Sequence, residues 1–327
     1  MTDQGPRTKI QGPESHQQPR IPALVLAAGF GVRLRPLTDV RAKPAIPVAG
    51  QPIVRRIIGW LASQAVTDIV INLHHLPQTL TAVLGDGSDL GVRIRYSWES
   101  PQVLGSAGGP RQALSILGAE QFFIVNGDTL TDVDLGRLAA AHASSGALVT
   151  LALAAGHDAE RYGGVRMDDR GRVTGFAPRG SPAGALHFLG VQAVSAEAFR
   201  AVPAGRAVNS IGGVYDRLIA SNPGAVGGFV VAARFQDVGT VADYWATSDA
   251  LRRAEGLGET SSGLRVHLDG SARVTRSILW DDVSIGAGAT IDECIVTDGV
   301  HVPAGSHYRR AVLVGRPAGG DLLVSPF

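Results

Sequence analysis

The apolar run Pro22–Ala28 ends in Gly29-Phe30-Gly31, and Arg33, Arg35 and Lys43 follow. A short apolar run of this kind reads as a buried parallel strand. A glycine loop at its end lets backbone N–H groups approach an anion closely, because no Cβ stands in the way. Arg offers phosphate a planar fork and Lys offers it a point charge. The stretch therefore points to a nucleoside triphosphate held at a strand's carboxyl end. The bland alternative is a strand-to-helix turn with surface cations, since Gly-x-Gly matches often by chance. The Gly-Lys-Ser/Thr of a Walker loop is absent, and Leu34 stands where a dinucleotide fingerprint needs its third glycine.

Chemistry on a nucleoside triphosphate needs charge on the phosphates, a divalent metal, a nucleophile in line and a base pocket. Arg33 and Lys43 are the candidates for phosphate charge. Asp128 and Asp237 are the candidates for Mg²⁺. Each follows an expected strand, Gln121–Val125 and Phe229–Phe235. Mg²⁺ takes one or two carboxylates and fills its shell with water and phosphate oxygens. Asp128 alone could equally cap the helix that follows.

The elements that must position these residues alternate. Ile53–Gln64, Leu76–Leu84, Gly109–Leu117 and Leu135–Ser144 read as helices, and Asp68–Leu73, Val92–Ser97 and Ala147–Ala154 as strands. Alternation of this kind means an α/β fold, a doubly wound, mostly parallel sheet. From Tyr162 the texture turns β-rich, with Val165–Met167, Val173–Phe176 and Leu186–Val194 expected as an insertion over the cleft. Val208–Ser221 and Val241–Glu255 read as helices, and 256–263 (GLGETSSG) as a linker. Residues 264–316, within a C-terminal domain expected over 264–327, hold a repeat: Ile278, Ile295 and Val312 are 17 apart, as are Val283 and Val300, and Ile285 and Val302. Apolar residues at fixed stations indicate stacked β-solenoid coils. An open coil end needs a cap, the catalytic domain or another subunit, so a homo-oligomer is a possibility.

Of 327 residues, 45% are hydrophobic and 18% charged, which allows a sizeable core. Thirty basic and 29 acidic residues give a net charge of +1, so no whole-chain field attracts nucleic acid or an anionic membrane. Residues 1–20 are polar and read as a disordered tail without the apolar core of a signal peptide. No apolar run reaches the ~20 residues that span a bilayer. The lone Cys294 excludes an internal disulfide and fits a cytoplasmic protein.

The block Leu26-Ala27-Ala28-Gly29-x-Gly31-x-Arg33-Leu34-x-Pro36-Leu37-Thr38, with Lys43-Pro44-x-x-Pro47-Val48, closely resembles the signature of sugar-1-phosphate nucleotidylyltransferases. The resemblance runs over about residues 22–250. It implies a Rossmann-like nucleotide-diphospho-sugar transferase domain over 21–255 and a short left-handed β-helix over 264–327, similar to mannose-1-phosphate guanylyltransferases. It implies that Arg33 and Lys43 contact the triphosphate, that Asp128 and Asp237 bind the metal, and that Leu26, Ala28, Gly29 and Gly31 line the nucleotide. Leu104-Gly105-Ser106-Ala107-Gly108-Gly109 resembles the family loop that lies against base and ribose, with Glu99 before it. A carboxylate only accepts hydrogen bonds, and guanine offers two N–H groups on one edge, which tilts the expectation to GTP. Tyr162-Gly163-Gly164-Val165 and the segment around Gly190 resemble the family's sugar contacts. Phe176-Ala177-Pro178-Arg179-Gly180 departs from the family's Phe-x-Glu-Lys-Pro. The Glu is missing, and Arg179 stands where the Lys would bind the sugar phosphate. The expected substrates are thus GTP and mannose 1-phosphate. The alternatives are an N-acetylmuramate-1-phosphate uridylyltransferase, a glucose-1-phosphate nucleotidylyltransferase and an inactive NDP-sugar-binding regulatory subunit.

Overall fold

The structure is a computed structural model and describes residues 21–156, 161–181, 185–315 and 322–327. The tail expected over 1–20 lies outside the described residues. A seven-stranded sheet is the centre of the chain. Its strands lie in the order Val226–Val230, Val149–Ala154, His187–Ser195, Gln121–Asn126, Ala23–Leu26, Asp68–Leu73, Arg93–Trp98. All are parallel to their neighbours except His187–Ser195, which runs antiparallel to both of its own.

The inner strands are largely apolar because both faces are covered, while the edge strand Arg93–Trp98 is partly polar and exposed. Ala23, Val25, Ile69, Ile71, Phe123 and Val125 enter one core, and Leu24, Val70, Phe122 and Ile124 the other. Helices α1 (Ile53–Ser63), α2 (Pro77–Leu84) and α4 (Leu135–Ser145) pack on the first face. Helices α3 (Gly105–Leu117), α5 (Glu197–Arg200) and α6 (Tyr215–Ser221) cover the second. On α1 the buried side chains are Ile53, Val54, Ile57, Ile58 and Leu61, one stripe at helical spacing.

Four local expectations change. Leu104–Gly109 is not a loop: α3 begins at Gly105, because Leu104, Ala107 and Ala113 bury against the sheet and outweigh the glycines' poor propensity. Leu186–Val194 is not part of an insertion. His187–Ser195 lies inside the central sheet, and only Gly164–Met167 and Val173–Ala177 form a separate hairpin. Phe229–Phe235 is not one strand. The chain leaves the sheet after Val230, and Phe235–Asp237 pairs instead with Thr129–Thr131. The helix expected over Val208–Ser221 is interrupted, with non-helical backbone at Ile211 and Gly212.

The C-terminal coils form three parallel ladders with a step of 17, for example Ser261↔Ile278↔Ile295↔Val312. Ser261–Ser262 is therefore already coil, inside the stretch read as linker. Alternation along this ladder gives it two buried faces. Leu279, Val296 and Leu313 fill the solenoid, while Ile278, Trp280, Ile295 and Val312 join the core of the catalytic domain. α7 (Val241–Ala254) lies at this seam, where Trp280 Nε1 donates to the Tyr244 hydroxyl at 3.0 Å and that hydroxyl donates to Pro47 O at 2.7 Å. Among the described residues no helix is long and apolar enough to cross a membrane.

His142 on α4 is buried between Thr150 Oγ1 at 2.9 Å and Ser195 Oγ at 3.3 Å, and burial lowers its pKa below 6.5. The folded protein then holds fewer protons than the unfolded chain, so this group's contribution to stability is lost as pH falls below about 6.5. His142→Gln should lose less stability than the parent between pH 8 and pH 5, read as the shift in urea midpoint. Equal shifts would place the acid sensitivity elsewhere.

Candidate active site

The cleft opens at the carboxyl ends of Ala23–Leu26, Asp68–Leu73 and Gln121–Asn126. Leu26 is flanked in register by Asn72 on one side and Asn126 on the other. Asn126 ends its strand and Asn72 is the last residue but one of its own, polar positions in otherwise largely apolar runs. Asn72 Oδ1 accepts from Ala27 N–H at 2.6 Å, and its Nδ2 donates to Glu99 Oε1 at 2.7 Å. Glu99 Oε2 in turn accepts from Leu104 N–H at 2.6 Å. This buried relay ties the start of the glycine loop to the start of α3. Gly109 has no Cβ because one would stand 2.5 Å from Glu99 Oε1.

Glu99 has a structural role in this arrangement. Each carboxylate oxygen accepts one bond from the protein, and the residue is buried. Each oxygen keeps a second lone pair, and Glu99 is among the residues that line the cleft.

Leu26, Ala28, Gly29, Gly31, Lys43, Glu99, Gly105, Ser106 and Asp128 line one cavity of about 310 Å³. That size suits a nucleotide-class ligand. Gly31 takes φ +62°, a conformation that only glycine adopts without strain, and turns the chain into the short helical turn that carries Arg33. The Ser106 hydroxyl is held by Ser210, accepting from its N–H at 2.9 Å.

Two of the charges, Lys43 and Asp128, belong to this lining. Lys43 donates to Asp128 Oδ2 in a close ion pair and stands 3.9 Å from Asp237 Oδ1. The Thr129–Thr131 ribbon brings the two carboxylates together, since Asp237 is the register partner of Thr129. Arg33 reaches the same turn, its Nη1 3.4 Å from where a Cβ on Gly239 would be. Burial, and then the charge of Asp128, raise the Asp237 pKa, while Lys43 and Arg33 act in the opposite sense. Lys43 and Asp237 are the shielded members, at 11% and 12% side-chain exposure. Two carboxylates beside one ammonium, opening on the cleft, form a donor set that fits a divalent cation completed by phosphate oxygens and water.

The sugar-side candidates are placed differently. Gly190, at φ +72°, packs against Asn126, which lines the cleft. Gly164 opens the separate hairpin, whose neighbour Tyr162 stacks on His187 at 4.6 Å and Phe235 at 5.4 Å. Arg179 sits in an exposed turn outside the cleft lining. A cation missed in the sequence is Arg161. It donates to Asp243 Oδ1 at 2.6 Å, and Asp243 belongs to the capping box of α7, two turns of chain beyond Asp237.

A glycine-loop cleft with paired aspartates, at the carboxyl ends of parallel strands, defines an α/β enzyme that handles a nucleotide. The chain belongs to the nucleotidyl transferase family, whose family model matches residues 22–254. The family model of the GlmU-like C-terminal hexapeptide matches 259–312. Enzymes of this family are transferases and generally use a divalent metal. Mannose-1-phosphate guanylyltransferase of Mycobacterium tuberculosis is 30% identical over 303 residues, covering 89% of this chain and 84% of its own. N-acetylmuramate alpha-1-phosphate uridylyltransferase of Neisseria meningitidis is 49% identical over 116 residues, 34% of this chain and 48% of its own. Among solved structures, HddC from Yersinia pseudotuberculosis superposes with a TM-score of 0.62 at 21% identity, over 71% of this chain and 99% of that one. This last likeness concerns the fold alone.

Two variants test the geometry. Asp128→Asn keeps the shape and removes a charge beside Lys43; turnover should fall by about 10²-fold, and near-normal turnover at saturating metal would remove Asp128 from the site. Glu99→Gln leaves one acceptor for two donors and should cost about 1–3 kcal/mol of stability. Its turnover should fall alike with every nucleoside triphosphate. A selective loss with GTP at unchanged stability would assign Glu99 to base reading.

Proposed function

We propose that the protein transfers a nucleotidyl group from a nucleoside triphosphate to a sugar 1-phosphate, releasing pyrophosphate. The observation that carries this reading is the Lys43–Asp128–Asp237 cluster at the mouth of a glycine-lined cleft of triphosphate size. A phosphate oxygen of the sugar 1-phosphate attacks the α-phosphorus, a P–O bond forms, and the bond to the β-phosphate oxygen breaks. The nucleophile is already ionised, so no side chain need take its proton. The protein supplies position and charge.

In this reading the loop Gly29–Gly31 offers N–H groups to phosphate, and Arg33 and Lys43 neutralise the β and γ oxygens of the leaving pyrophosphate. Asp128 and Asp237 would hold Mg²⁺, and a divalent cation there would supply positive charge to the phosphates. Lys43 then passes from Asp128 toward the triphosphate. The base rests against Gly105 and Ser106. Gly164 and Gly190 border the sugar side, and Arg179 would have to approach from its exposed turn to meet the sugar phosphate. A single free thiol, Cys294, is compatible with a reducing cytoplasm.

For substrates we propose GTP and mannose 1-phosphate, on the similarity that extends over 89% of the chain. The second reading, UTP with N-acetylmuramate 1-phosphate, is favoured by the 49% identity over 116 residues. A matrix of four nucleoside triphosphates against mannose, glucose, N-acetylglucosamine and N-acetylmuramate 1-phosphates, read as pyrophosphate release, decides between them. Release is expected to be fastest with GTP and mannose 1-phosphate. A maximum with UTP and N-acetylmuramate 1-phosphate selects the second reading, and release with no sugar phosphate overturns the function.

A further inference from the structure

Arg41 lies two residues before Lys43, and its side chain leaves the catalytic domain. Its Nε donates to Asp298 Oδ2 at 2.6 Å and its Nη2 to Asp298 Oδ1 at 2.7 Å, a bidentate fork. The same Nη2 donates to Asp281 Oδ2 at 2.6 Å. Asp281 and Asp298 are 17 residues apart, one station on successive coils of the solenoid. The guanidinium also faces the Trp280 ring at 5.3 Å from its centre, and only 10% of the side chain is exposed.

We propose that the solenoid is a positioning part of the catalytic site: Asp281 and Asp298 grip Arg41 and so fix the backbone from which Lys43 reaches Asp128 and the triphosphate. The inference rests on the proposed role of Lys43 as a phosphate cation.

Both ends of the grip are prearranged. Asp298 Oδ1 also accepts from Asp281 N–H at 3.0 Å, and Asp281 Oδ1 accepts from Leu264 N–H at 2.7 Å, so neither carboxylate is free to swing. On the catalytic side, Arg41 N–H donates to Leu37 O at 3.2 Å and Ala42 N–H to Thr79 Oγ1 at 3.1 Å. The backbone turn 43–45 is buried at every residue. A chain held this way transmits a displacement over two residues with little loss, because close-packed interiors cannot absorb it. Docking alone needs no such contact, since the seam at Trp280 and Tyr244 already joins the two domains through apolar area. The ionic cluster adds three charge-assisted bonds to the one loop that carries Lys43.

The test uses the full chain with each substrate varied in turn. Arg41→Ala should lower kcat/KM for the nucleoside triphosphate by about 10- to 100-fold, the scale of a 1 Å misplacement. The KM for sugar 1-phosphate should change less than about twofold, and a purely structural role would not produce this split. Arg41→Lys should recover only part, because it returns the charge without the fork. Asp298→Asn, which disturbs the grip from the solenoid side, should act in the same direction and serves if Arg41→Ala does not fold. Arg265→Ala, which breaks an exposed ion pair with Asp282 of the neighbouring coil, should leave both constants unchanged. Lys43→Ala separates the two readings. If it abolishes turnover while the Arg41 and Asp298 variants keep parental constants, the grip is overturned and Lys43 retained. If it leaves triphosphate kinetics unchanged, both fall.

Discussion

Two carboxylates, Asp128 and Asp237, share one ammonium, that of Lys43. Neither aspartate would be stable so close to the other in a half-buried cleft without that charge, since like charges a few ångströms apart disfavour ionisation. The upward shift of Asp237 by burial and by Asp128 is the residue of this conflict. The rest of the fold serves to hold the three groups together. The parallel sheet ends at Asp128, the Thr129–Thr131 ribbon captures Asp237, and the turn 43–45 delivers the lysine. Arg33 stands beside the same turn and joins Lys43 in opposing the upward shift of Asp237.

Beside this cluster a hydrogen-bonded relay does the structural work of the cleft. Asn72 and Glu99 bind Ala27 and Leu104 through buried hydrogen bonds, which are costly to leave unmade and so fix geometry well. The glycines around the relay are placed where backbone or carboxylate comes too close for a Cβ. Glu99 braces this frame with one bond on each oxygen while it lines the cleft.

The solenoid is a wall of the same building. One of its ladders faces inward with Leu279, Val296 and Leu313, and outward into the catalytic core with Ile278, Trp280 and Ile295. Three coils could not bury their own side surface, and the catalytic domain buries it for them. The seam carries the Arg41 cluster to within two residues of Lys43, so the terminal domain is joined to the chemistry as well as to the core.

The sequence by itself determined the alternating α/β order, the 17-residue coil step and the family, because these are local: apolar runs, periodicity and a contiguous motif from Leu26 to Val48. It also singled out Arg33, Lys43, Asp128 and Asp237, whose types and strand-end positions can be read along the chain. The tertiary structure alone decided which partners those residues have. The bonds that define the site join residues 45, 85 and 257 positions apart, as in Ala27–Asn72, Lys43–Asp128 and Arg41–Asp298. The occupation of Glu99, the detour of the chain from Val230 to the ribbon at Phe235, and the exposure of Arg179 have the same origin. Each depends on which surface packs where, and propensity and spacing do not encode that.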